Sequence, residues 1–270
     1  MHFLSIITIN YNNAEALKKT IDSVRVQKFT DYEHIIVDGG STDGSVDVIC
    51  ESLKDEKYAE HVSWWCSEKD EGIWNAMNKG VSHAQGNYCL LLNSGDWLCN
   101  EKCLSVAYEN SKTGEDIIYF DIFMVTSKKI FRITYPEKIH SYFFLQRNTL
   151  SHQNTLIKTS LQKKIPYTNN YRYAGDIEFF ATAFLKQDCS SKHVNKVLAY
   201  YDAEYGISSI PETAKERAEE WKRLHVQFYP NQRIREDLSE LIRYTTRYQR
   251  ILEYLYSIIR KIVFLLRGGK

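Results

Sequence analysis

None of the six cysteines stands in a Cys-x-x-Cys pair; Cys50, Cys66, Cys89, Cys99, Cys103 and Cys189 are scattered along the chain. That spacing speaks against a zinc site or a dithiol redox motif. Several lie in apolar stretches and read as buried free thiols of a reducing compartment. An excess of one charge is also missing: Lys+Arg 35 against Asp+Glu 34 leaves net +1. A dedicated nucleic-acid binder would be basic overall, so no nucleic-acid partner is expected. No apolar run is long enough to span a bilayer. The opening Met1-His2-Phe3 lacks the basic n-region of a secretory signal. The expectation is a cytoplasmic protein, attached at most to the inner face of the membrane. Neither a Gly-x-Gly-x-x-Gly turn after the first apolar run nor a Gly-Lys-Ser/Thr loop is present, so the two commonest phosphate cradles of α/β proteins are excluded. A nucleotide here would need its diphosphate held another way, and a divalent cation on a carboxylate is the obvious one.

What is present suits one large α/β domain with an appendage: 270 residues, 43% of them hydrophobic, enough for a substantial core. Leu4 to Ile9 is short, β-branched and almost wholly apolar, the pattern of a strand covered on both faces. Asn12 and Asn13 offer a cap to a helix carrying Ala16, Leu17, Ile21 and Val24. Strands are expected at His34–Val37, Val62–Cys66 and Tyr88–Leu92, and helices at Val46–Leu53 and Ile73–Val81. This alternation is the signature of a parallel sheet with right-handed crossovers. Beyond it, Ile117–Val125 and Ile130–Tyr135 flank Ser127-Lys128-Lys129 as a hairpin. Thr155–Ile157 is a short apolar segment, Ile177, Phe180, Ala181 and Phe184 mark another helix, and Val194–Tyr200 is a last strand.

Tyr11, Asp38, Asp70 and Asp96 each follow one of the expected strands. Ligands of open parallel sheets bind outside the carboxyl ends of the strands, so four segments bring polar groups to one edge. Asp is also common in turns and at helix N-caps, and that is the reading for Asp43. For Asp38 and Asp96, each ending an apolar strand in a Gly-rich turn, both the capping and the functional reading stand.

Four segments then occur in order: Ser5-Ile6-Ile7-Thr8-Ile9-Asn10-Tyr11-Asn12, Val37-Asp38-Gly39-Gly40-Ser41-Thr42-Asp43-Gly44, Ser67 to Gly80 with Asp70-Glu71-Gly72-Ile73-Trp74, and Leu91-Leu92-Asn93-Ser94-Gly95-Asp96-Trp97. Together they resemble family 2 glycosyltransferases, enzymes of the GT-A fold, over roughly the first 210 residues. The resemblance implies an α/β, Rossmann-like, mostly parallel sheet with flanking helices and an inverting, metal-dependent hexosyltransferase. Residues 1–100 would form the nucleotide-sugar half, 101–210 the acceptor half, and 211–270 a helical C-terminal region. It also implies site residues. Ile9, Tyr11 and Asp38 would contact base and ribose, and Asp70 would be a further donor-pocket carboxylate. Asn93-Ser94-Gly95-Asp96 occupies the family's Asp-x-Asp position with Asn in first place, leaving Asp96 as its one charged metal ligand for Mg²⁺ or Mn²⁺. Asn75 stands where relatives often carry Asp. Asp176 sits where the acceptor-side base is expected. His152 and the loop Tyr205-Gly206-Ile207-Ser208-Ser209 look proximal to the diphosphate or metal.

The chemistry is coherent. A divalent cation on Asp96 would neutralise the departing nucleoside diphosphate as a Lewis acid. Asp176 would take the acceptor's proton during one-step displacement, which needs a single base rather than the paired carboxyls of glycoside hydrolysis. A helix N-cap remains the structural reading of Asp176, with Glu178 as alternative base, and His152 is equally readable as a structural histidine. From about Pro211 the composition shifts. Glu212–His225 is a charged helix. The segment 243–270 combines Arg243, Arg247, Arg250, Arg260, Lys261, Arg267 and Lys270 with many Leu and Ile, so it is either a membrane-interface helix beside anionic lipid or one packed on this domain or on a twin in a dimer. The expected partners are a nucleotide-sugar donor, UDP foremost, and a saccharide or lipid-linked saccharide acceptor in surface-polysaccharide synthesis. The competing functions are an inactive nucleotide-sugar or glycan binder of the same fold and a sugar-nucleotide pyrophosphorylase; the latter needs a Gly-rich basic signature that Asn10–Ala14 does not offer.

Overall fold

The computed structural model describes residues 2–140, 143–144, 148–204 and 211–230. In chain order the elements are β1 (Leu4–Asn10), α1 (Ala14–Arg25), β2 (Tyr32–Asp38), α2 (Ser45–Ser52), α3 (Glu56–Ala59), β3 (Val62–Ser67), α4 (Ile73–His83), β4 (Tyr88–Leu91), β5 (Trp97–Leu98), α5 (Cys103–Ser111), β6 (Ile117–Val125), β7 (Ile130–Ile133), β8 (Thr155–Lys158), α6 (Thr159–Lys164), α7 (Gly175–Lys186), β9 (Ser191–Asp202) and α8 (Ala214–Phe228). The strands form one sheet in the order β3-β2-β1-β4-β8-β6-β9-β5, with β7 added to β6. The pairs among β3, β2, β1 and β4 are parallel; β8 joins β4 and β6 antiparallel, and β6 and β9 run parallel. This is the expected α/β architecture of GT-A type, with α8 as the described part of the C-terminal helical region.

Alternation along β1 sets the two layers. Leu4 and Ile6 point into a core completed by Leu17, Ile21 and Val24 of α1, Ile49 of α2 and Leu104 and Ala107 of α5. Ile7 and Ile9 point the other way, to Trp74, Met77 and Val81 of α4 and to Phe179, Phe180 and Ala183 of α7. Each such aliphatic side chain, taken fully out of water, contributes about 1.5–3 kcal/mol. Since both faces are covered, every residue of β1 and β2 is buried.

Several expectations change. The α1 cap comes from across the chain: Asn13 makes no side-chain cap, and Asp43 Oδ2 instead accepts the Ala14 N–H at 2.8 Å. Asn12 takes a left-handed φ of 47° and accepts the Thr42 N–H at 2.8 Å. Asp43 also accepts from the N–H and hydroxyl of Ser45, the turn role read for it. The elements α3, β5, α5 and α6 have no counterpart in the sequence reading. All six cysteines are free, yet only Cys89 and Cys103 are buried and Cys50 is exposed. Among the described residues no helix is long and apolar enough to cross a membrane. The loop 205–209 and the segment 243–270 lie outside the described residues.

Close packing of α4 on the sheet depends on Gly80. A Cβ there would meet Ile7 Cγ2 at 2.4 Å and Val37 Cγ2 at 3.3 Å. Both are β-branched side chains with little freedom to move aside. Gly80→Ala is therefore expected to lower stability by about 1–3 kcal/mol despite its better helix propensity. Urea denaturation measures this, and an unchanged or raised midpoint would contradict the packing described.

Candidate active site

Parallel pairing brings the carboxyl ends of β3, β2 and β1 into line. Asn10, Asp38 and Ser67 are partners on the last rungs. Asp38 is fully buried, and its carboxylate accepts four hydrogen bonds: from Asn10 Nδ2 (2.8 Å) and Ser41 Oγ (2.6 Å) on Oδ1, and from Ser41 N (2.9 Å) and Ser67 Oγ (2.6 Å) on Oδ2. Burial alone would raise its pKa, but these donors prevail and hold it below the ordinary carboxylate value. Asp38 thus ties together three loops, and a ribose contact would require it to exchange one of those hydroxyls for a substrate hydroxyl.

Beside it Gly39 lets two groups close in. A Cβ at Gly39 would lie 2.6 Å from Asp70 Oδ2 and 3.2 Å from Tyr11 Cδ2. Tyr11 is 66% exposed, and Asp70 Oδ1 accepts the Gly72 N–H at 2.9 Å, leaving Oδ2 beside Gly39. An open aromatic face next to a carboxylate is a place where a flat heterocycle can stack and donate. Ile9 and Asn10 join this pocket to the next loop through their carbonyls, which accept the Ser94 N–H (3.0 Å) and the Gly39 N–H (2.8 Å).

The turn Asn93–Asp96 rests on α1. Gly95 adopts φ 101°, and its N–H donates to Thr20 Oγ1 at 3.0 Å, while that hydroxyl donates to the Asp96 carbonyl at 2.7 Å. Asp96 is 5% exposed, and its Oδ1 accepts the Asp202 N–H at 3.1 Å. Burial pushes its pKa up to about 7, against the opposing pull of His152, the Asp202 N–H and Gln153. Lys19 of α1 lies 3.1 Å from the centroid of Trp97. Desolvation there lowers its pKa, while Asp202, Asp96 and Glu15 favour its charge.

Asp176 lies in the first turn of α7, whose N-cap position is Ala174. Its Oδ2 faces His152 Nδ1 at 2.9 Å, and its Oδ1 accepts from Tyr167 OH at 3.1 Å. His152 Nε2 lies 3.1 Å from Asn93 Nδ2. One imidazole therefore spans from the Asn93–Asp96 turn to Asp176. Burial disfavours the charge on His152, but the Asp176 carboxylate, helped by Asp96, outweighs it and raises its pKa. With His152 neutral, Nδ1–H donates to Asp176 and Nε2 accepts from Asn93, whose Oδ1 is then buried without a partner. Gly175 sets the position of α7: a Cβ there would strike the Trp74 ring at 2.5 Å, and Trp74 itself donates to the Tyr171 carbonyl at 2.7 Å and stacks on Tyr167. Glu178 accepts from Thr168 Oγ1 at 2.5 Å and lies near Gln227, engaged in packing rather than in this chain of contacts. Asn75 Oδ1 accepts the Glu71 N–H at 3.3 Å and shapes the α4 entry.

The structure thus joins Asn93, Asp96, His152 and Asp176 on one side, and Tyr11 and Asp70 on the other, with Ile9, Ser94 and Asp38 between. Sequence reasoning missed Lys19, Tyr167 and Gln153, none of which lies in a segment with a distinctive motif. Among the described residues no group of three or more His, Cys, Asp or Glu could hold a metal. Asp96 and the unpartnered Asn93 Oδ1 nevertheless supply hard oxygens, a fit for a cation that takes its other ligands from phosphate and water.

The raised Asp96 pKa has a thermodynamic consequence. A carboxyl whose folded pKa lies above its unfolded value of 3.8 stabilises fully below that value, and the contribution is lost as pH rises through about 7. In chelator-treated protein, Asp96→Asn is expected to raise stability at pH 8 by up to a few kcal/mol and to change it little at pH 4. Denaturation at the two pH values measures this; equal effects at both would contradict a strained, buried carboxylate.

Comparison with known proteins bears on the family and the fold. The model of "Glycosyl transferase family 2" matches residues 5–177. A PGL/p-HBAD biosynthesis glycosyltransferase of Mycobacterium bovis is 29% identical over 210 residues, 76% of this chain and 78% of that protein. Residues 1–349 of S. aureus TarS, solved in complex with UDP-GlcNAc, superpose with TM-score 0.64 at 18% identity, over 88% of this chain and 70% of that one. A mannosyltransferase of Pyrobaculum calidifontis, solved with GDP-Man and Mn²⁺, gives TM-score 0.56 at 14% identity, over 83% and 61%. At these identities the two structures speak for the fold alone.

Proposed function

Because the chain belongs to glycosyl transferase family 2, we propose that it moves a sugar from a nucleoside-diphosphate donor, a UDP-sugar foremost, to a saccharide or lipid-linked saccharide hydroxyl with inversion. The observation that carries this reading is the His152 imidazole held between Asn93 and the Asp176 carboxylate. It puts a general base beside the turn that would receive the diphosphate. The bound UDP-GlcNAc of TarS supports a uridine donor, and the M. bovis relative's place in PGL/p-HBAD biosynthesis supports a surface-glycan pathway.

In this reading the base stacks on Tyr11 and donates to Asp70, while the Asn10–Asp38–Ser41 network fixes the ribose side. Ile9 and Ser94 shape the floor between ribose and diphosphate. Asp96 and Asn93 Oδ1 would hold Mg²⁺ or Mn²⁺, and the Mn²⁺ of the mannosyltransferase complex supports such a cofactor. When bound, the cation supplies Lewis-acid neutralisation of the leaving diphosphate. Lys19 adds a second positive charge on the α1 side of Asp96. On the acceptor side the incoming hydroxyl oxygen bonds to the anomeric carbon as the bond from that carbon to the diphosphate oxygen breaks. The hydroxyl proton passes to Asp176. His152 Nδ1–H and Tyr167 OH hold the carboxylate in place for that transfer.

Calorimetry with UDP, GDP, CDP and dTDP, each with and without Mn²⁺, tests the donor half. One nucleotide is expected to bind in a metal-dependent way that Asp96→Ala abolishes. Release of UDP from UDP-hexoses in the presence of membrane glycan extract tests the base. Asp176→Asn should lower turnover by about 10²- to 10⁴-fold with nucleotide affinity retained. Full turnover in that variant would remove Asp176 from the mechanism, and no turnover by the wild type would favour a binding protein.

A further inference from the structure

The loop that leads into α7 presents three successive backbone N–H groups to a single carboxylate from another element. Glu220 of α8 accepts the Arg172 N–H on Oε1 at 2.7 Å, and the Tyr173 and Ala174 N–H groups on Oε2 at 2.9 and 3.0 Å. Glu220 is 8% exposed, so these charge-assisted bonds are little screened by solvent. Ala174 is the N-cap residue of α7 and has no side-chain cap. The carboxylate of Glu220 thus takes the N–H groups immediately ahead of the helix, two residues before Asp176.

Other contacts hold α8 in this place. Leu224 packs with Tyr171 and Ala174. Tyr171 OH donates to Gln227 Oε1 at 2.6 Å, and Tyr173 OH donates to Glu216 Oε2 at 3.0 Å. The start of α7 is therefore clamped from two sides. Trp74 presses on Gly175 from α4, and Glu220 grips residues 172–174 from α8.

We propose that Glu220 is a positioning residue for Asp176, setting the orientation of the first turn of α7 so that the carboxylate meets the acceptor hydroxyl. This rests on the reading of Asp176 as the general base. The helix transmits the position because its first turn moves as a rigid unit, and a misplacement of about 1 Å at a reacting group can cost about 10²-fold in rate. A carboxylate is required: three donors converge on two acceptor oxygens, and an amide would turn an NH₂ group against at least one of them.

The test is a double-mutant cycle on the full chain with Glu220→Gln and Asp176→Asn, following UDP release from the UDP-hexose that turns over fastest and calorimetric binding of UDP with Mn²⁺. The expected result is a fall in kcat of about 10- to 100-fold in E220Q, with UDP still bound at one per chain with wild-type affinity. In the D176N background the same change should cost nothing further, because the group it positions has gone. Wild-type kcat in E220Q would overturn the inference, and so would an equal loss in both backgrounds, which marks a merely structural role. Should E220Q fail to bind UDP at one per chain, Glu220→Asp, which keeps the charge but shortens the reach, is read in the same cycle with the same outcomes. Undiminished turnover in D176N alone would instead remove the base reading on which the inference rests.

Discussion

The site depends on one imidazole. His152 lies between the Asn93 amide and the Asp176 carboxylate, and these two partners come from segments more than eighty residues apart in the chain. Asn93 follows β4, whose neighbour β1 carries the nucleotide-side loop; Asp176 opens α7, which covers the other face of the sheet. Without a link, the turn and the base would be set independently by their own elements. The link makes the geometry of each a constraint on the other, and it correlates their charge. Asp176 favours the imidazolium, and the imidazolium in turn opposes the burial that raises Asp96. Asp96 and His152, both buried, carry opposing charge preferences in one region, the pattern expected where charge must be moved.

Asp38 and Asp96 show how neighbouring carboxylates diverge. Both end an apolar segment at the same sheet edge, and both are buried. Asp38 receives four hydrogen bonds and is held ionised. Asp96 has few donors for its burial and lies high. The first is satisfied within the fold and serves as a joint. The second is left with unmet demand for positive charge, which a cation would meet. Lys19, pressed on Trp97, answers part of that demand already.

Much of this was legible in the sequence wherever local pattern decides structure. Strands β1, β2 and β4 announce themselves as apolar runs ended by polar turns, and the edge that gathers Tyr11, Asp38, Asp70 and Asp96 follows from parallel order alone. Local pattern offers Asn12 and Asn13 as the α1 cap, whereas the acceptor of the Ala14 N–H is Asp43, which lies across a loop. The two-residue β5 has no periodicity to detect, and α6 is a single short helix after a strand of four residues. His152 could be read as structural or functional until its two partners were in place. Lys19 looks like any lysine on an exposed helix face. Glu220 sits in a charged helix whose sequence reads as solvated surface; only tertiary packing turns that one side chain inward to three backbone donors.

The central claim is that Asp176 and His152 form one coupled unit, and the direct measurement is the titration of His152 by ¹⁵N NMR in wild-type protein and in Asp176→Asn. The account predicts a wild-type midpoint above the ordinary histidine value of 6.5 and a clearly lower one in the variant, where burial is no longer offset by the neighbouring carboxylate. An identical midpoint in both proteins would mean that the two side chains do not meet in solution, and the shared geometry of turn and base would fall with it.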